Sequence, residues 1–217
     1  PPSTSPAVPE APYARGLDTD DFAPPVVKLL STTADEVVRE GKKAGSFFLP
    51  DMDASFTKLD VTVLHLHKSR VLWTEEQLGT PRCTSSNGQY PDEGGEYYEE
   101  RMDTGCKGCP MALLRDNTGC NETFNLILMD NADHESVFLY RVGSWSARKA
   151  FGKWLTRFGA TAKGRPFMAP TIITSELRDS PKATYWAPVF NFDVAHRYEG
   201  DGLAERQRIA DSFHGIE

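Results

Sequence analysis

The chain has 217 residues, 24 of them Lys or Arg and 31 Asp or Glu, for a formal charge of −7. That length allows one domain with a substantial core, and no apolar run is long enough to cross a bilayer, so no membrane role is expected. The net charge argues against uniform coating by nucleic acid, but the charge is unevenly placed. Between Arg141 and Arg165 stand seven basic residues and no acidic one, so the rest of the chain carries 17 basic residues against 31 acidic. One basic sector faces an acidic remainder.

In chain order, residues 1–20 read as a disordered leader, with five prolines before Tyr13 and the acidic Asp18 and Asp20 at its end. Residues 21–198 read as the folded domain. In FAPPVVKLL the two prolines force an extended entry, from which Val26, Val27, Leu29 and Leu30 can anchor to a core. Asp35 to Gly41 supports no more than a turn of helix, and Phe47 to Leu49 a short strand. Leu59 to Trp73 has the period-two pattern of a strand, with Leu59, Val61 and Val63 on one side, His65 and His67 continuing that side, and Leu64 and Leu66 on the other.

All four cysteines lie in an insertion spanning residues 80–122. Cys106 and Cys109 form a CxxC turn helped by Gly105 and Gly108, while Cys83 and Cys120 stand on either side. Such a turn lets two thiolates converge on one tetrahedral ion. The segment before it, PDEGGEYYEERMD, is too acidic and glycine-rich to bury itself, so a crosslink at its base is physically useful. The expectation is one structural Zn²⁺ on Cys83, Cys106, Cys109 and Cys120, with no open position for a reacting water. Two disulfides would fit an oxidising compartment, but no charged start and apolar run opens the chain. A thioredoxin-like pair would need a buried strand before Cys106, and a zinc deaminase a His-x-Glu upstream. Neither is present.

After Cys120, Phe124 to Met129 and Val137 to Val142 form a predicted hairpin around a polar turn. A helix follows, capped by Ser144 and ended at Gly159, with Ala147, Phe151, Trp154, Leu155 and Phe158 at helical spacing. Thr171 to Leu177 and Ala183 to Phe192 are predicted strands, Pro188 marking the second as an edge or bulge. Residues 199–217 form a tail with a short helix from Leu203 to Phe213. No βαβ alternation occurs. The expected fold is mainly β with minor α: an OB-like small antiparallel barrel with one internal helix and a zinc-stapled loop insertion.

Lys149, Lys153 and Arg157 recur every fourth residue and form one stripe on the helix, with Arg148 between that stripe and the apolar face. Such cations can simply face water or complement the helix C-terminus. Their sector is also rich in aromatics: Trp73, Trp145, Tyr185, Trp186, Phe190 and Phe192 lie on or beside predicted elements. A basic groove with stacking platforms is what holds single-stranded nucleic acid. The candidate contacts are Arg70, Arg148, Lys149, Lys153 and Arg157 for phosphates, and Trp73, Trp145 and Trp186 for bases. Two rival readings are an adaptor whose acidic insertion binds another protein, and a nuclease holding Mg²⁺ on Asp51 and Asp53 or on Asp130, Asp133 and His134.

The motifs DFAPPVVKLL, GSFFLP, VTVLHLHKSRVLW, RCTSSNG, GCKGCPMALL and the GC before FNLIL resemble a family of phage and prophage proteins that bind single-stranded DNA. The resemblance spans about Asp21 to Phe192. It implies DNA rather than RNA, a non-enzymatic role in replication, recombination or repair alongside the proteins of those processes, and a cytoplasmic site in a bacterial host. Single-strand binders of this kind often end in an acidic run, whereas this chain ends in the mixed GDGLAERQRIADSFHGIE. If an acidic element plays that part here, the loop from Asp92 to Asp103 is the candidate.

Overall fold

The computed structural model describes residues 24–73, 80–114, 119–134, 136–162, 165–181 and 183–213. The predicted leader, Lys163 in the basic sector and the last four residues lie outside them.

Nine strands form one curled, half-barrel sheet among the described residues. They are β1 (Val26–Leu29), β2 (Phe47–Leu49), β3 (Ala54–Phe56), β4 (Lys58–Leu72), β5 (Cys83–Ser85), β6 (Asn121–Asp130), β7 (Val137–Val142), β8 (Thr171–Asp179) and β9 (Thr184–Phe192). Their order is β3-β2-β1-β7-β6-β4-β8-β9, with β5 added to the far end of β4. The helices are α1 (Asp35–Val38), α2 (Tyr98–Arg101), α3 (Pro110–Leu113), α4 (Trp145–Ala162) and α5 (Gly200–Ser212).

Two expectations need correction here. The sheet is mixed, because β1 enters beside β7 in parallel, with Val26 opposite Leu139. Pro25 closes this contact, its carbonyl accepting from the Leu139 amide at 2.8 Å. The sheet also stops at two edges, β3 and β9, so it curls without a closing ladder. The two sides of the curl are tied at Gly45, whose carbonyl accepts from the Ser175 hydroxyl. Gly45 has φ +81°, and a Cβ there would overlap the Trp186 ring. Only glycine satisfies both demands. Pro188 sits on the edge strand β9, where a missing N–H costs little.

β4 departs from simple alternation. A bulge between Val63 and His65 shifts its pairing with β6. Leu59, Val61 and Val63 face the main core, but after the bulge Leu66 takes that side and His65 moves to the other. His65 and His67 therefore leave the face of Leu59, and His67 instead meets Asn125 at 3.2 Å. One inserted residue inverts every side chain beyond it.

α4 covers the open side of the curl. Ala147, Phe151, Trp154 and Phe158 are all buried, and they stack in sequence, Phe151 on Trp154 at 5.2 Å and Trp154 on Phe158 at 4.9 Å between centroids. Phe190 and Phe192 of β9 close against this column. Each such aromatic contributes roughly 1.5–3 kcal/mol of burial, so the helix is held by its apolar face and its polar face is left outward. Ser144 caps it, accepting from the Ala147 amide at 3.3 Å, but the helix runs through Gly159 to Ala162, past the predicted stop. α5 packs on the opposite side of the sheet, where Ala210 meets Leu64, Ile127, Met129 and Phe167.

Candidate nucleic-acid interface

The outward face of α4 is flanked by two clefts. One, of about 410 Å³, lies between the helix and β8–β9 and is lined by Trp145, Lys149, Lys153, Arg157, Arg178 and Tyr185 among others. The second, of about 540 Å³, lies between the N-terminal half of the helix and the cysteine insertion, and is lined by Trp145, Arg148, Lys149, Arg70, Glu122, Phe124, Leu114 and Cys120. Trp145 and Lys149 border both, so the clefts meet at that pair. Their side chains touch, the Lys149 ammonium standing 4.9 Å from the centre of the Trp145 ring. Trp145 is 68% exposed, far more than an aromatic recruited for packing.

The cations differ in how far they are already committed. Arg148, Lys149 and Lys153 make no ion pair among the described residues. The Arg148 Nε is buried with no hydrogen-bond partner there. A buried N–H of a guanidinium without an acceptor is costly, and a shift of the side chain toward an incoming phosphate would relieve that cost. Arg70, by contrast, donates to Glu122 at 2.6 Å and to the Gly88 carbonyl at 3.2 Å. Lys68 lies 5.0 Å from the Phe124 centroid and 3.4 Å from the same carboxylate. Arg70 thus ties β4 to β6 beneath the second cleft.

The predicted aromatics separate. Trp145 faces the clefts, and Trp73 follows the end of β4 with 38% of its surface exposed. Trp186 lies elsewhere, covering Gly45 and lining a third cavity with Tyr140 and Lys28. Its neighbour Tyr185 borders the first cleft instead. Successive residues on a strand leave on opposite sides, which places the two rings at different cavities. The alternation was visible in the sequence, but choosing between them needed the position of β9. Arg178 and Phe124 had no such signal.

The four cysteines are free thiols, with Cys83, Cys106 and Cys109 buried and Cys120 half-buried. Gly105, at φ +71°, lets the chain turn so that the Cys106 amide reaches the Gln89 carbonyl at 2.6 Å. Burial, and next the charges of Cys106 and Cys109, push the Cys83 thiol up. Burial chiefly, then Cys109 and Cys83, push the Cys120 thiol up to about 11. All four therefore lie within electrostatic reach of one another. Among the described residues no group of three or more His, Cys, Asp or Glu is arranged so as to hold a metal ion. The donor set, four sulfurs that repel one another as thiolates, is chemically suited to a thiophilic dication.

Three of the four carboxylates considered for Mg²⁺, Asp51 excepted, are engaged locally. Asp53 pairs with Lys42, Asp130 accepts from the Ala132 amide at 2.7 Å, Asp133 accepts from the Ser136 hydroxyl at 2.6 Å, and His134 meets Arg206 at 3.3 Å. Among the described residues no helix is long and apolar enough to cross a membrane. No protein-family model, curated protein or solved structure matches the chain, so the functional reading rests on these residues and their geometry.

Proposed function

We propose that the protein binds single-stranded DNA without altering it, along the outward face of α4. The observation that carries this reading is the convergence of Arg148, Lys149 and Lys153, without acidic partners among the described residues, on an exposed Trp145 where two clefts meet. In an acidic protein, cations left uncommitted beside an exposed ring provide both parts of single-strand recognition, neutralisation of phosphates and a surface for stacking. Tyr185 adds a second ring at the first cleft. The choice of DNA over RNA, and a role beside replication or recombination proteins in a bacterial cytoplasm, follow the motif resemblance. The curled sheet is compatible with a β-rich, barrel-like fold, and the OB-like form of it is part of this proposal.

We assign Cys83, Cys106, Cys109 and Cys120 to one structural zinc. A bound dication would stabilise four thiolates at once and hold the acidic insertion to β5 and β6. Those elements carry Cys83 and approach Cys120, which borders the second cleft.

Competition between a fluorescent mixed-sequence oligonucleotide and unlabelled single-stranded or duplex DNA tests the function. Single strands should displace the probe and duplex should do so far more weakly, because stacking surfaces cannot reach paired bases. Equal displacement by duplex, or no binding of the probe, would remove the reading. Incubation with Mg²⁺ or Mn²⁺ should leave the oligonucleotide full length.

A further inference from the structure

A cavity of about 360 Å³ lies between the β2–β3 hairpin and the adjoining ends of β4 and β6. Its floor is apolar, including Leu59 and Phe138, and two large apolar side chains stand at its mouth, Met52 at 67% and Phe56 at 38% exposure. Its rim is acidic. Asp60 and Asp130 line it and make no ion pair among the described residues, each using one oxygen, Oδ1, for a local bond at 2.7 Å. Among the described residues, Lys58 is the one cation on its lining. The strand beside it, β3, pairs only with β2 and is an edge of the sheet.

We propose that this cavity docks an extended segment of another protein that carries large apolar side chains flanked by Lys or Arg. Exposed Met and Phe over an apolar floor favour an apolar anchor, and Met accommodates varied shapes. Rim carboxylates that are hydrogen-bonded but not neutralised by an ion pair favour cations beside that anchor and disfavour acidic segments. The chain's own leader, with Glu10, Asp18 and Asp20 against Arg15, has the wrong charge. An edge strand offers backbone groups to an extended partner.

The cavity is separate from the α4 clefts. β4 begins here at Lys58, and Arg70 of the second cleft lies twelve residues along the same strand, up to roughly 40 Å away. The lining shares no residue with either cleft. A partner held here leaves the basic face open, and this inference stands whether or not that face binds DNA.

The probe is a short fluorescein-labelled peptide in which two phenylalanines alternate with lysines, followed by anisotropy. Controls replace its phenylalanines by serine or its lysines by glutamate. The parent peptide should bind, and both controls should be weaker by about tenfold or more. Met52→Asp and Phe56→Asp, at exposed positions that leave the core intact, should weaken the parent peptide by a similar factor. Asp60→Asn with Asp130→Asn should reduce its salt dependence. Saturating single-stranded oligothymidine should not displace it. Equal binding of the serine control, indifference to Met52→Asp and Phe56→Asp, or displacement by the oligonucleotide would each overturn the proposal. So would sedimentation showing that Met52→Asp dissociates a self-assembled form, since the occupant would then be a second copy of the chain.

Discussion

Replacing Lys149 and Lys153 together by Gln removes two charges from the clefts and little else. Both side chains are exposed, neither is ion-paired among the described residues, and Gln matches Lys closely in helix propensity. For single strands, the logarithm of the binding constant falls by about 0.7 per tenfold rise in salt for each phosphate neutralised. Two contacts thus account for about 1.4 of the slope, or about 25-fold in affinity between molar salt and about 0.1 M. The Lys149 ammonium also stands over Trp145, and losing that contact within the protein lowers folding stability by about 0.5–1 kcal/mol without itself weakening DNA binding. The double variant should therefore bind markedly more weakly at low salt and nearly normally at high salt. Anisotropy of a labelled oligonucleotide across a salt series measures both. An unchanged slope, or an equal loss at every salt concentration, would refute the placement of these lysines on phosphates.

Trp145→Ala should weaken binding by about 1–3 kcal/mol with little change in that slope, whereas Trp186→Ala, at the Gly45 seam, should act on stability. Titration and thermal melts of the two variants separate these effects. Protein purified without chelator should contain one zinc per chain by elemental measurement, and Cys106→Ser should release it and loosen the insertion before altering contacts of α4. Two disulfides in the unreduced protein by mass spectrometry would contradict that assignment. Phe151→Ala, in the fully buried aromatic column, should cost about 3–5 kcal/mol in urea unfolding.

The parts of this fold that were legible in the sequence depend on neighbours in the chain. The β6–β7 hairpin and the apolar stripe of α4 follow from local periodicity, and Ser144 caps the helix as its chemistry suggests. What was not legible depends on distant segments. Nothing near Val26 announces a parallel partner at Leu139, because its alternation suits either direction. The bulge after Val63 has no glycine to mark it, so the histidines read as continuing a face that they leave. At the candidate site the helical stripe was visible as spacing alone. Arg70 carries the same charge as Arg148 in sequence, but Glu122, far along the chain, occupies it. Gly159 carries the usual signal for a helix end, yet the helix continues past it, and the structure supplies no physical account of the extension.

The most direct measurement is photocrosslinking of the protein to a single-stranded oligonucleotide bearing bromodeoxyuridine, with adducts located by mass spectrometry. Binding along α4 predicts adducts at Trp145 and Tyr185, the rings that border the clefts, and their loss when Lys149 and Lys153 are replaced by Gln. Adducts confined to Trp186, or to the acidic insertion at Tyr97 and Tyr98, would contradict it.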